Sequence, residues 1–308
     1  MSGAVGADVL VLRALGLGDA LTGVPALRGV RRAWPDRRLW LAAPATLGRW
    51  LQDLGVVDGV VDTVGLDAPL RWDRPGHVAV NLHGRGPRSH DLLCATAPDR
   101  LVAFGVGGEA WQPDEHEVDR WCRLVRSAGG PCDREDLRLP IGTGPRSDEV
   151  LLHPGAAAAA RRWPTDRWAD VARRLASRGM TVTLTGGPQE VELCDRIAAA
   201  AGPGVQAAGL LPLPELARRV AGAMLLVCGD TGVAHLATAT GTPSVLLFGP
   251  VPPRWWGPAI DPDRHTVLWH GHASAPGDPH GAVTDPALAR ITADEVESAV
   301  DGLLARSG

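Results

Sequence analysis

At 308 residues the chain is long enough for two domains, each with its own buried core. A net charge of −4 leaves no general basic face and argues against nucleic-acid binding. No apolar run reaches ~18 residues and no basic segment precedes an apolar core at the N-terminus, so neither a membrane span nor a signal peptide is expected.

All 31 cationic residues are arginine, so every fixed positive charge available to a phosphate is a planar guanidinium. The five cysteines, Cys94, Cys122, Cys132, Cys194 and Cys228, form no CxxC pair. Their number and spacing predict reduced thiols in a cytoplasmic protein, not disulfides or zinc ligands.

In chain order, an apolar strand at 9–13 leads through the turn ALGLGD into a helix over about 20–33. Gly16 and Gly18 open the turn, and Asp19 stands at the start of the helix. Asp19 reads either as a helix cap or as a general base where the glycines let a substrate approach the backbone. A dinucleotide fingerprint is not expected: Leu21 replaces its third glycine, and the second strand, 38–42, ends without an acidic ribose ligand. A helix at 46–54, a short strand at 60–61 and a strand at 78–82 follow. The last strand ends in the polar turn HGRG, which carries His83 and Arg85. A helix from 89, a strand at 101–104 and a helix at 115–128 complete this series, and 131–148, rich in Pro, Gly and charge, is the expected linker.

A second series opens with a strand at 150–153 that ends in HPGAAAAARRWP. Small residues there let a phosphate lie against the backbone, and Arg161 or Arg162 can grip it with paired bonds or stay solvated. A helix at 165–178 and a strand at 181–185 lead to TGGPQE and a helix at 189–201. Glu190 is either an acceptor for ribose hydroxyls or an ordinary acidic first-turn residue. Leu211, ahead of a short helix at 214–221, is counted with the nucleotide-side residues.

The most informative block is LLVCGDTGVAHLATATGTPSVLLFGP, residues 225–250. It reads as a buried strand, a tight turn at Gly229, a helix capped by Asp230 or Thr231, a left-handed stop at Gly241 and another strand at 244–248. A helix that starts right after a strand directs N–H groups and partial positive charge beyond the sheet, where phosphates bind, and His235 one turn in can add a hydrogen bond. The alternative is a capped βαβ unit with a surface-facing His235. Asp261 and Asp263 formally match a DxD metal motif but lie in a Pro-rich loop and read as a turn. His270 and His272 lack a third ligand, so no metal site is expected. Trp255 and Trp256 read as packing or as a platform for a base or sugar. Residues 250–286 are expected as long loops and 287–303 as a final amphipathic helix.

Two successive strand–helix series predict an α/β protein of two doubly wound, Rossmann-like parallel-sheet domains facing each other across a cleft, over 1–145 and 149–308. The final helix is a candidate to pack back on the N-terminal domain.

Together these blocks resemble glycosyltransferase family 9, the ADP-heptose:lipopolysaccharide heptosyltransferase-like proteins of GT-B fold, over nearly the whole chain. LGLGDALTGVPAL is similar to the family's N-terminal G-D-x-(small)-x-x-x-P-x-L block, HPGAAAAARRWP to its H-x-G-(A/S)…K-x-W-P loop, and GDTGVAHLATATGTPSVLLFGP to its D-(T/S)-G-x-x-H-x-A signature. The resemblance implies a cytoplasmic, inverting, metal-independent glycosyltransferase with no cofactor beyond its nucleotide-diphosphate sugar. Asp19 would be the base in the acceptor domain, with Gly16, Gly18, His83 and Arg85 on the acceptor or sugar side. Asp230, Thr231, Gly232 and His235 would hold the diphosphate, Glu190 would lie near the ribose, and Arg161 would stand where relatives carry Lys. The donor is expected to be ADP-activated heptose, with a UDP- or dTDP-sugar as the alternative. A silent nucleotide-sugar-binding protein is the third reading. The acceptor is a glycan or small molecule, peripheral membrane contact is compatible, and the oligomeric state is open. The chain departs from the family at its all-Ala loop after His153, which lacks polar donors, at Val251-Pro252-Pro253 on the sugar side and at NLHGRG on the acceptor side.

Overall fold

The computed structural model describes residues 6–142 and 147–307, so residues 143–146 of the expected linker lie outside the described residues. The chain divides into two compact units, Met1–Leu137 and Arg138–Gly308, and the change of unit falls inside the segment 131–148.

The first unit runs β1 (Gly6–Leu12), α1 (Leu17–Thr22), α2 (Val24–Ala33), β2 (Arg37–Ala43), α3 (Ala45–Asp53), β3 (Gly59–Asp62), β4 (Val78–Asn81), α4 (Arg88–Cys94), β5 (Arg100–Val102) and α5 (Glu117–Ser127). Its strands pair in parallel in the order β3-β2-β1-β4-β5. Leu10, Leu12, Ala42, Val61 and Ala79 from these strands share one core cluster with Leu93 of α4.

The second unit runs β6 (Glu149–His153), α6 (Thr165–Ser177), β7 (Thr181–Gly186), α7 (Val191–Ala201), β8 (Val205–Leu210), α8 (Leu213–Gly222), β9 (Leu225–Gly229), α9 (Gly232–Thr240) and β10 (Ser244–Phe248). It continues through α10 (Pro253–Trp256), β11 (His265–Trp269), α11 (Pro286–Arg290) and α12 (Ala293–Ser307). The parallel order is β11-β10-β9-β6-β7-β8. Every residue of β9 and β10 is buried, as central strands covered on both faces require. The final helix α12 packs on α6, β10 and β11, and its Val296, Val300 and Leu303 join the core of this unit.

Both sheets have a topological switch point, where successive connections leave in opposite directions and the strand ends open a crevice. It lies between β1 and β4 in the first unit and between β6 and β9 in the second.

Four local expectations are corrected. The helix predicted at 20–33 is two helices: the Gly23 amide closes α1 on the Asp19 and Ala20 carbonyls at 3.1 and 3.2 Å, and Pro25 starts α2. Strand β11 occupies part of the stretch predicted as loop, and β8 was not predicted at all; both are edge strands with partly exposed residues. The last predicted helix breaks before α12, where Thr292 and Glu295 form a reciprocal capping box, each side chain accepting from the other's amide at 3.2 and 2.8 Å. Finally, Cys122 and Cys132 are disulfide-bonded, with Cα atoms 5.2 Å apart, rather than reduced. The chain reverses after α5 through Gly129, at φ 93°, and this brings the two thiols together at a spacing that no CxxC pattern reveals. Cys94, Cys194 and Cys228 are free thiols. No helix among the described residues is long and apolar enough to cross a membrane.

Candidate functional site

In the first unit, the turn after β1 sets Asp19 in the first turn of α1, with its side chain one-third exposed (33%). Gly16 is the N-cap residue, and a Cβ there would meet nothing within 4 Å, so the turn is open to a ligand. Gly18 is half-buried in the same turn.

Beneath Asp19 lies Arg13, only 1% exposed. Its Nε donates to the Asp19 carbonyl and one terminal nitrogen to the Leu82 carbonyl. The other donates to the Thr22 hydroxyl at 3.0 Å and to the Glu117 carboxylate at 3.4 Å, and lies 3.8 Å from the Asp19 carboxylate. Glu117, at the start of α5, also accepts from Arg120 and from the Trp121 indole at 2.6 Å. The Arg13 guanidinium stands 5.0 Å over the Trp121 ring. Sequence reasoning did not single out Arg13 or Glu117, because the pair is 104 residues apart.

His83, just past β4, accepts the Ala14 amide on Nδ1 at 3.2 Å, a bond that spans the switch point between β1 and β4. Burial, with the Arg13 charge beside it, pushes the His83 ring down to about 4. At neutral pH the ring is uncharged, and with Nδ1 accepting, the proton sits on Nε2 as a donor. Arg85 is exposed and is not drawn into this cluster.

In the second unit, Arg161 ends a 3-10 turn after β6 and donates to the Asp230 carbonyl at 3.3 Å, which ties the loop after β6 to the turn after β9. Its Nε is buried without a partner. Gly229 permits this approach, since a Cβ there would stand 3.2 Å from the Arg161 carbonyl oxygen. Asp230 is buried, and its amide donates to the Leu247 carbonyl at 3.2 Å. Thr231 takes the N-cap position of α9 in extended conformation, as one of the two expected caps, but its hydroxyl makes no capping bond. Gly232 opens the helix, and Gly241 closes it in the left-handed conformation, φ 68° and ψ 26°, as expected. His235 is not surface-facing: it is 6% exposed, and its ring packs against that of Trp256 of α10 with centroids 5.8 Å apart.

Glu190 stands at the N-cap of α7 and accepts the Gly187 amide at 2.7 Å. Its carboxylate lies 3.9 Å from His153 Nε2, while His153 Nδ1 pairs with the Thr185 hydroxyl at 3.0 Å. Burial drives the His153 pKa below the usual histidine value, only partly opposed by Glu190, so the ring is a neutral prop for the carboxylate. A Cβ on Gly155 would fall 2.0 Å from the Glu190 carboxylate, so the glycine leaves the space that Glu190 fills. The sequence quoted His153 as a motif residue without assigning it this role. Leu211 follows edge strand β8, two strands out from β6, and is half-buried. Asp261 turns the chain in a left-handed conformation, φ 53°, and pairs with Arg138, and His270 bonds Glu295 at 2.7 Å.

The family model described as glycosyltransferase family 9 (heptosyltransferase) matches residues 111–276. The chain is 33% identical over 300 residues to lipopolysaccharide heptosyltransferase 1 of Escherichia coli K12, a match covering 80% of this chain and 88% of that protein. A second match, 38% identical over 112 residues, is to lipopolysaccharide heptosyltransferase 1 of Pseudomonas aeruginosa; it spans 35% of this chain and only 30% of that relative. Among solved structures, E. coli heptosyltransferase WaaC with ADP superposes with a TM-score of 0.71 at 18% identity, over 96% of this chain and 99% of that one. That likeness makes the fold GT-B. By the family model and by the long match to the E. coli enzyme, the chain belongs to glycosyltransferase family 9.

Proposed function

We propose that the protein transfers a sugar, heptose from an ADP-heptose-type donor, to an acceptor hydroxyl with inversion and without a metal ion. The observation that carries this reading is the Arg161–Asp230 bond, which joins two signature loops at the switch point beside the N-terminus of α9. There the helix contributes about 0.3–1 kcal/mol to an anion, and a charged hydrogen bond from Arg161 adds roughly 1.5–3 kcal/mol. Asp19 takes the proton from the acceptor hydroxyl as its oxygen bonds to the anomeric carbon. The bond from that carbon to the diphosphate oxygen breaks on the opposite face, and the nucleoside diphosphate leaves with its charge met by Arg161, His235 and the α9 amides. Thr231 and Gly232 would line the diphosphate, Glu190 the ribose, and His83 Nε2–H would meet the acceptor. Support for the nucleotide comes from WaaC, solved with ADP. The reading places the protein in the cytoplasm, and no step uses the Cys122–Cys132 bond.

A titration panel of ADP, UDP, GDP and dTDP tests the donor, with ADP expected to bind tightest. Equal affinity for all four rejects the ADP preference, and a UDP or dTDP winner assigns the other donor. Turnover of ADP-heptose should persist in EDTA; activity that is lost in chelator and regained with a divalent cation rejects the metal-free scheme. Gly155→Ala should displace the Glu190 carboxylate and weaken ADP binding by about 1.5–3 kcal/mol, the scale of a hydrogen bond to a charged group. Calorimetry that finds wild-type affinity in this variant removes Glu190 from the ribose.

A further inference from the structure

We infer that Arg13, anchored by Glu117, is a positioning residue that fixes the Asp19 carboxylate and sustains its charge for proton abstraction. The inference rests on the proposed role of Asp19 as base. Its physical ground is an arrangement that the fold itself does not need. Arg13 is 1% exposed at the end of β1, where an apolar side chain would pack without the several kcal/mol of desolvation that a buried ion carries. Room is kept for it by Gly23, since a Cβ there would stand 2.7 Å from Arg13 Cδ and Nε.

The guanidinium sits between two carboxylates of unlike setting. Glu117 is sealed, at 6% side-chain exposure, and held by Arg120 and Trp121 as well. Asp19 is 33% exposed, on the side where a substrate hydroxyl can arrive. Glu117 and Trp121 thus lock the cation from inside, and its Nε and terminal nitrogen address the backbone and side chain of Asp19 from beneath. The charged and titratable groups facing this pair are Glu117 and Arg120 from α5 and His83 from the turn after β4, and His83 is neutral near pH 7.

Two variants act on Asp19 with opposite sign. Removing Arg13 takes away the cation beside Asp19 while Glu117 stays an anion held by Arg120, so Asp19 ionises at higher pH. Glu117→Gln takes away an anion and keeps the cation, so Asp19 ionises at lower pH. The measurement is the pH profile of kcat/KM with saturating donor, for wild type, Arg13→Met, Arg13→Lys and Glu117→Gln. The acid limb should rise by about one pH unit in Arg13→Met, at the lower end of the effect of an adjacent cation. It should return most of the way in Arg13→Lys and fall below wild type in Glu117→Gln, with the donor KM little changed in each. A merely structural role lowers activity without moving the limb, or moves it the same way in all variants; either result overturns the inference. If Arg13→Met does not fold, Glu117→Gln decides alone: a limb below wild type supports the inference, and an unmoved or raised limb overturns it. Asp19→Asn is run alongside: transfer that survives in it defeats the base assignment itself, whereas a dead Asp19→Asn with unmoved limbs elsewhere defeats only the role of Arg13.

Discussion

Replacing Asp19 with Asn is expected to slow transfer by about 10²–10⁴-fold, the range for losing a general base, while ADP binds with wild-type affinity. The expectation follows from where the side chain sits. It projects from the first turn of α1 in the first unit, whereas the residues proposed for the nucleotide, Arg161, Glu190, Asp230 and His235, all belong to the second. Asn keeps the volume, and the Asp19 carbonyl still accepts from Arg13, so α1 holds its place. Single-turnover rates measured beside calorimetric ADP titration separate the two effects. A variant that transfers within a few-fold of wild type would end the base assignment, and one that loses ADP affinity would place Asp19 on the donor side.

The second large effect is on stability. Glu117→Ala should lower the unfolding free energy by about 3–5 kcal/mol, because it leaves Arg13 and Arg120 as buried cations without their shared anion. The Trp121 indole, which donates to the same carboxylate at 2.6 Å, loses its acceptor as well. Urea unfolding followed by tryptophan fluorescence reads the change. A loss under about 1 kcal/mol would mean that water or a shifted Asp19 neutralises the site, and the network would then be softer than its burial implies. Glu117→Gln keeps the shape and an acceptor oxygen, so it should lose clearly less than the alanine variant.

What the sequence disclosed and what it withheld divide along one physical line. The block from β9 to β10 was readable because its signals are local: an apolar strand, a glycine turn, a helix and a left-handed Gly241 within 25 or so residues of one another. The edge strands β8 and β11 were not, because a strand paired on one side needs little apolar patterning, and VQAAGL carries almost none. The break at Gly23 and the capping box at Thr292 carried signals that helical periodicity overrode. Contacts between distant segments were invisible: Arg13 with Glu117, the ring of His153 beneath Glu190, Cys122 with Cys132 across a reversal. The candidate residues themselves were named from short motifs, and the structure groups Asp19 with His83 in one unit and Arg161 with Asp230 in the other. What the motifs lacked was the supporting layer beneath them.

That layer includes two glycines, Gly23 against Arg13 and Gly155 against Glu190, whose missing side chains are occupied by charge. In each unit a single added methyl group would therefore detune the chemistry while every acid, base and cation stayed in the chain. A relative that has fallen silent need not have lost a carboxylate. It could announce the loss by an alanine where this chain keeps empty space, and a survey of polar residues alone would pass it as intact.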